Sequence, residues 1–138
     1  MNGLAFFDTN IFVYSDDASD PGKQAKAIRL IGQYQRSGQA ILSLQVLQEY
    51  FSVVTRKLGV APEFAQRKVE LMSRMRVVRF DESDVISAIE FHRLHQVSFW
   101  DAMIVHAARK GGAGVLFSED LHAGSTWGGL TVVNPFRE

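Results

Sequence analysis

Five short apolar runs, separated by stretches of helical periodicity, constrain the fold of this chain more than any other feature. They are residues 4–7 (Leu-Ala-Phe-Phe), 40–42, 77–78, 115–117 and 130–133. Runs this brief, bounded by polar or glycine-containing segments, read as buried strands. Between the first two, Ala25, Ile28, Leu30, Ile31 and Tyr34 recur at helical spacing and Gly38 closes the segment. A second helix is predicted over 44–58 with Gly59 as its stop, and a third over 63–75 behind Pro62. A fourth starts near Ser83, where Ser83 and Asp84 offer a cap ahead of Ile86, Ile89 and Phe91. The fifth spans 100–110 and stops at Gly111 and Gly112. Strands alternating with helices predict an α/β fold with a central parallel sheet covered on both faces. With 138 residues and no internal repeat, residues 1–138 are expected to form one domain. Ligands of such sheets bind outside the carboxyl ends of the strands, so the chemistry is expected just after them.

The chain has no cysteine, which excludes disulfides, thiolate zinc sites and a cysteine nucleophile. Its apolar runs fall far short of the ~18–20 residues of a membrane span. Asp8 interrupts the N-terminus before a secretory segment forms, so a cytoplasmic location without membrane contact is expected. Net charge is zero, which argues against a generic nucleic-acid binder. The charges are unevenly placed, however. Asp8, Asp16, Asp17 and Asp20 precede the first cation, whereas residues 51–80 carry Arg56, Lys57, Arg67, Lys68, Arg74, Arg76 and Arg79 against Glu63 and Glu70. A basic sector beside an acidic one suits a polyanion held near carboxylates; solvated helix faces are the plainer reading.

Four carboxylates stand where a solubility role does not require them. Asp8 directly follows the first strand, in Asp8-Thr9-Asn10, either as a turn residue bonding nearby amides or as an acid at the strand mouth. Glu49 lies at the margin of a helical stripe formed by Leu47, Tyr50, Phe51, Val54 and Leu58. A half-buried acid there needs a cation or donors, unless it pairs with Arg56. Asp101 opens the fifth helix, and Ser98 to Asp101 matches the spacing of a capping box. Asp120 follows the 115–117 strand in Ser118-Glu119-Asp120; an extended stretch puts Ser118 and Asp120 on one side and Glu119 on the other.

Joint placement carries more than any single acid. Four carboxylates drawn to one end of a sheet repel one another unless cations are present. Oxygen donors favour Mg²⁺ or Mn²⁺, which hold water and phosphate. Spacing and chemistry therefore point to metal-assisted phosphodiester hydrolysis.

The same residues resemble a known family. The strand ending in Asp8-Thr9-Asn10, the helical Leu47-Gln48-Glu49-Tyr50, the stretch Ser98-Phe99-Trp100-Asp101-Ala102-Met103-Ile104-Val105-His106 and the segment Leu116-Phe117-Ser118-Glu119-Asp120-Leu121 are similar, in order and spacing, to the four motifs of PIN-domain ribonucleases. Among these the chain most resembles VapC-type toxins of toxin–antitoxin pairs, over essentially its whole length. The resemblance implies a three-layer α/β/α fold in which Asp8, Glu49, Asp101 and Asp120 bind one or two Mg²⁺ or Mn²⁺ ions. It implies endonucleolytic RNA cleavage by metal-activated water, leaving a 5′-phosphate and a 3′-hydroxyl, with Thr9, Asn10 and Ser118 as supporting polar groups. It also implies a homodimer, inhibition by a small antitoxin and contact with DNA only through that antitoxin.

Arg56 and Lys57 are the candidate phosphate contacts, and Ser43 a candidate polar support near the cleft. Tyr34, Phe51, Phe64 and Trp100 read mostly as core or interface aromatics, with base stacking the alternative for one of them. His92 and His95 share a helix face but lack a third ligand, and His106 and His122 read as boundary residues. Alternatives to the toxin reading are a housekeeping RNA-processing nuclease and a non-catalytic RNA- or partner-binding module. A metal-independent ribonuclease ranks last, because no set of histidines converges.

Overall fold

A computed structural model of the chain describes residues 3–137. The elements run β1 (Ala5–Phe7), α1 (Thr9–Ser15), α2 (Pro21–Arg36), β2 (Ala40–Ser43), α3 (Leu44–Arg56), α4 (Pro62–Met72), β3 (Arg76–Val78), α5 (Glu82–His95), α6 (Phe99–Lys110), β4 (Val115–Phe117), β5 (Thr126–Trp127) and β6 (Leu130–Val133). The strands form one sheet in the order β3-β2-β1-β4-β6-β5. All neighbours are parallel except β5 and β6, which form an antiparallel edge pair.

The five expected strands are present, but only the central β1 and β2 are buried throughout; the edge strand β3, which starts at Arg76, is exposed or half-buried. A strand covered on both faces has no side that water can reach, so Ala5, Phe6 and Phe7 of the central β1 are all fully buried. Burying a side chain the size of Phe stabilises the fold by roughly 1.5–3 kcal/mol. On one face, Phe7 packs against Phe12, Tyr34 and Phe117 with ring centroids 5.3–5.9 Å apart. Helices α1 to α4 contact one another, while α5 pairs with α6, which lies on β2 and β4. The sheet is the middle of three layers. Gly111 lets the end of α6 approach that sheet: a Cβ there would stand 3.0–3.1 Å from Val78 and Ile41 side-chain carbons.

Helix boundaries differ from the sequence expectation where capping decides them. The α5 cap is Asp81 rather than Ser83. Asp81 accepts the Asp84 amide and Asp84 accepts the Asp81 amide, a reciprocal capping box. At α6, Ser98 accepts the Asp101 amide at 3.1 Å, but only this half of the expected box forms. Ser43 is the buried cap of α3, accepting from the Val46 amide, so its hydroxyl serves the backbone. Helix α3 ends at Arg56, with Gly59 in a left-handed conformation (φ +67°) just beyond it. The α3 stripe is also narrower than expected: Val46, Tyr50 and Val54 are buried, whereas Phe51 is exposed.

This topology selects one end of the sheet. From β1 the chain builds outward through β2 to β3, then returns to place β4 on the other side of β1. The direction of winding reverses between β1 and β4, and a crevice opens outside their carboxyl ends. Asp8 follows β1 there, and residues 118–120 follow β4.

Candidate active site

Asp8 is the N-cap of α1. Its Oδ1 accepts the Thr9 amide at 2.7 Å, and its own amide donates to the Phe117 carbonyl, tying it to the end of β4. Its Oδ2 accepts the hydroxyl of Ser118 at 2.8 Å. Ser118 is itself fully buried, and its oxygen accepts the amides of Asp120 and Leu121, each at 3.2 Å. Both readings of Asp8 therefore hold geometrically: it caps a helix and faces a cleft. Burial pushes its carboxyl up to about 6; the hydrogen bonds from Ser118 and Thr9 pull the other way, and the nearby Glu49 and Asp120 add repulsion.

Glu49 reaches the same place from α3. Its Oε1 accepts the Thr9 hydroxyl at 2.7 Å and its Oε2 accepts the Gln45 side-chain amide at 3.1 Å. The alternative pairing with Arg56 does not form. Thr9 thus donates to two acids, through its amide to Asp8 and through its hydroxyl to Glu49.

Asn10 organises the loop after β4. Its Nδ2 donates to Asp120 Oδ2 at 3.0 Å and its Oδ1 accepts the Glu119 amide at 3.2 Å. Glu119 lines the same cleft as Asp120, so the expected opposite facing of the two acids does not hold; its carboxylate is engaged by protein, forming an ion pair with Lys23 and accepting the Tyr14 hydroxyl at 2.6 Å. Burial opposes ionisation of Glu119, but those two donors prevail and hold its carboxyl below the usual range. Of the two adjacent acids, Glu119 has a cation and Asp120 stands near Asp8 with an amide donor only.

Asp101 sits in the first turn of α6 above the buried Ile104, Val105 and Ala108. Because the capping box closes on one side only, its carboxylate is not tied to the Ser98 amide. Asp8, Glu49, Asp101 and Asp120 line one cleft of about 630 Å³, together with Thr9 and Asn10. Arg56 and Lys57 line it as well, exposed and without an ion pair among the described residues. Lys68, from the same basic stretch, is instead paired with Asp16.

The family profile described as PIN domain matches residues 5–123. The chain belongs to the PIN domain family. Among solved structures, this PIN domain is similar to Mycobacterium tuberculosis VapC20, described as a sarcin–ricin loop cleaving toxin. The TM-score is 0.67 at 23% identity, covering 84% of this chain and 89% of that one. It is also similar to a toxin–antitoxin complex from Klebsiella pneumoniae, with a TM-score of 0.69 at 18% identity, covering 95% and 97% of the two chains. At these identities the likeness speaks for the fold. No curated protein matches the chain.

The donor set of this PIN domain suits a hard divalent cation: four carboxylates at one cleft, with repulsion from Glu49 and Asp120 felt at Asp8. Among the described residues, no three Asp, Glu, His or Cys side chains stand close enough to form a ready-made metal cage. The histidines lie elsewhere. His92 contacts the Val97 carbonyl, His95 packs at a tilt against Phe91, and His106 bonds Asp84 at 2.9 Å.

Sequence reasoning missed Tyr14, Gln45 and Lys23. Gln45 is four residues before Glu49 on one helix, a spacing that signals contact. Tyr14 and Lys23 reach Glu119 across 105 and 96 residues, and no local signal announces them. Among the described residues, no helix is long and apolar enough to cross a membrane.

Proposed function

We propose that this PIN domain is a divalent-metal-dependent endoribonuclease acting as the toxin of a toxin–antitoxin pair. The observation that carries this reading is the meeting of Asp8, Glu49, Asp101 and Asp120, from four separate stretches of sequence, at one cleft beside the exposed Arg56 and Lys57. Carboxylates alone would repel RNA; with cations they bind its phosphates.

In this reading Asp8, Glu49, Asp101 and Asp120 hold one or two Mg²⁺ or Mn²⁺ ions. Bound there, such an ion lowers the pKa of a water and stabilises charge on the phosphodiester during in-line displacement. Thr9 fixes the spacing of Asp8 and Glu49, and Ser118 holds Asp8 from behind. Asn10 orients Asp120, while Lys23 and Tyr14 keep Glu119 out of the competition. Arg56 and Lys57 contact the RNA backbone and fix the strand in the cleft.

The likeness in fold to VapC20 and to a toxin–antitoxin complex supports the toxin role and a small inhibitory antitoxin. A homodimer in the cytoplasm, touching DNA only through the antitoxin, completes the proposal. The test is product-end analysis after incubating purified protein with RNA. A 5′-phosphate and a 3′-hydroxyl are expected, with cleavage suppressed by a co-expressed neighbouring antitoxin. A cyclic phosphate would contradict the metal-water route, and undiminished cleavage in the presence of the antitoxin would contradict the toxin role.

A further inference from the structure

Trp100 is 60% exposed, and it stands immediately before Asp101 on the first turn of α6. Its indole lines the same cleft as the acids and as Arg56 and Lys57. The Phe99 ring meets it edge-on, with centroids 5.0 Å apart and planes at 64°. One side of the indole is therefore steadied by protein while the residue as a whole remains open to solvent. The other aromatic candidates are placed differently. Tyr34 is packed against Phe7 and Phe117, and the exposed Phe51 and Phe64 do not line the cleft. Trp127 packs against Phe91.

We propose that Trp100 is a base-binding residue that stacks on an unpaired nucleotide of the RNA held in the cleft. This rests on the ribonuclease reading above and deepens it. An indole face is matched by the face of a nucleobase, and stacking of this kind tolerates any base. A base inside a duplex has both faces covered by its neighbours, so only a splayed-out nucleotide can be taken this way. Arg56 and Lys57 supply the complementary half, cations for the phosphates of the same strand. Trp100 and Asp101 are consecutive, so a base held by the first brings its strand to the acids.

The test uses the full chain with Trp127→Phe, which leaves Trp100 as the sole indole, and Asp8→Asn, which keeps the RNA uncut. A mixed-sequence single-stranded RNA is titrated in Mg²⁺, then the same RNA annealed to its complement. Quenching of Trp100 emission by the single strand and little change with the duplex are expected. Trp100→Leu is expected to weaken single-strand binding about ten-fold, with duplex binding unchanged and Trp100→Phe retaining most of the affinity. Unquenched emission, or equal single-strand affinity of Trp100→Leu and the parent, overturns the proposal. So does a Trp100→Leu variant that changes oligomeric state while its RNA affinity is intact, because the indole would then serve a protein interface. If Trp100→Leu does not fold, emission and Trp100→Phe carry the test. Quenching without cleavage by the wild-type chain would sink the nuclease reading and leave the stacking; cleavage with an unchanged KM in Trp100→Leu would do the reverse.

Discussion

The hydroxyl of Thr9 donates a 2.7 Å hydrogen bond to Glu49 Oε1, linking the first residue of α1 to the middle of α3 across forty positions. The Thr9 amide also binds Asp8, so one residue sets the distance between two acids. Thr9→Val keeps the shape and removes the hydroxyl. Cleavage is expected to fall about ten-fold or more, as when an outer partner of a metal ligand is lost. Stability, followed by thermal unfolding, is expected to change by about 1–2 kcal/mol at most. Full activity in the folded variant would mean that Glu49 needs no such tether.

Asp8 gives a pH dependence of definite sign. Burial raises its folded-state pKa to about 6, above the 3.8 of an ordinary carboxyl. The folded chain therefore holds this proton more tightly than the unfolded chain. The resulting contribution is complete below pH 3.8 and is lost as pH rises through about 6. Its full size is roughly 3 kcal/mol. In EDTA, wild type is expected to gain stability relative to Asp8→Asn as pH is lowered from 7 to 4. Denaturant unfolding of both proteins at several pH values measures this; parallel pH curves would show that Asp8 is not raised.

The two adjacent acids after β4 separate by their partners. Glu119 is paired with Lys23 and bonded by Tyr14, whereas Asp120 is bonded by Asn10 near Asp8. Asp120→Asn is expected to reduce kcat roughly ten-fold or more and to weaken Mn²⁺ binding. Glu119→Gln is expected to lower the thermal midpoint while leaving kcat within about three-fold, since its bonds hold the loop. Equal losses of kcat in the two variants would contradict this division of roles.

Arg56 and Lys57 are exposed and without ion pairs among the described residues, so their loss leaves no buried charge behind. Arg56→Ala and Lys57→Ala are each expected to raise KM for RNA with little change in kcat. Each is also expected to reduce the slope of log affinity against log salt by about 1. An unchanged slope would place the RNA backbone elsewhere.

The parts legible in sequence were those that local pattern controls. Five of the strands, the parallel character of the central sheet and the acids at strand ends follow from apolar runs and from what must stop them; the strand order does not. Helix α1 was not legible, because seven residues from Thr9 to Ser15 are too few to display a period. Strand β5, two residues long, exists only as a partner of β6. At α5 the choice between Asp81 and Ser83 as cap depended on backbone geometry at a position where both residue types suit the role. Within the site, the acids themselves could be named but their couplings could not. Thr9 to Glu49, Asn10 to Asp120 and Lys23 to Glu119 join positions 40 to 110 apart, and only the fold brings them into contact. The basic stretch read as one sector divides in three dimensions: Arg56 and Lys57 face the cleft, and Lys68 bonds Ser15 and Asp16 at the end of α1.

The central claim is that the cleft acids act as a metal-dependent nuclease centre. Cleavage of a total-RNA pool by purified wild-type protein and Asp8→Asn, each with Mg²⁺ or Mn²⁺ and again with EDTA, tests it most directly. Cutting by wild type that requires the metal and disappears in a folded Asp8→Asn is the expected result. Cutting that survives EDTA, or that persists undiminished in folded Asp8→Asn, would contradict it.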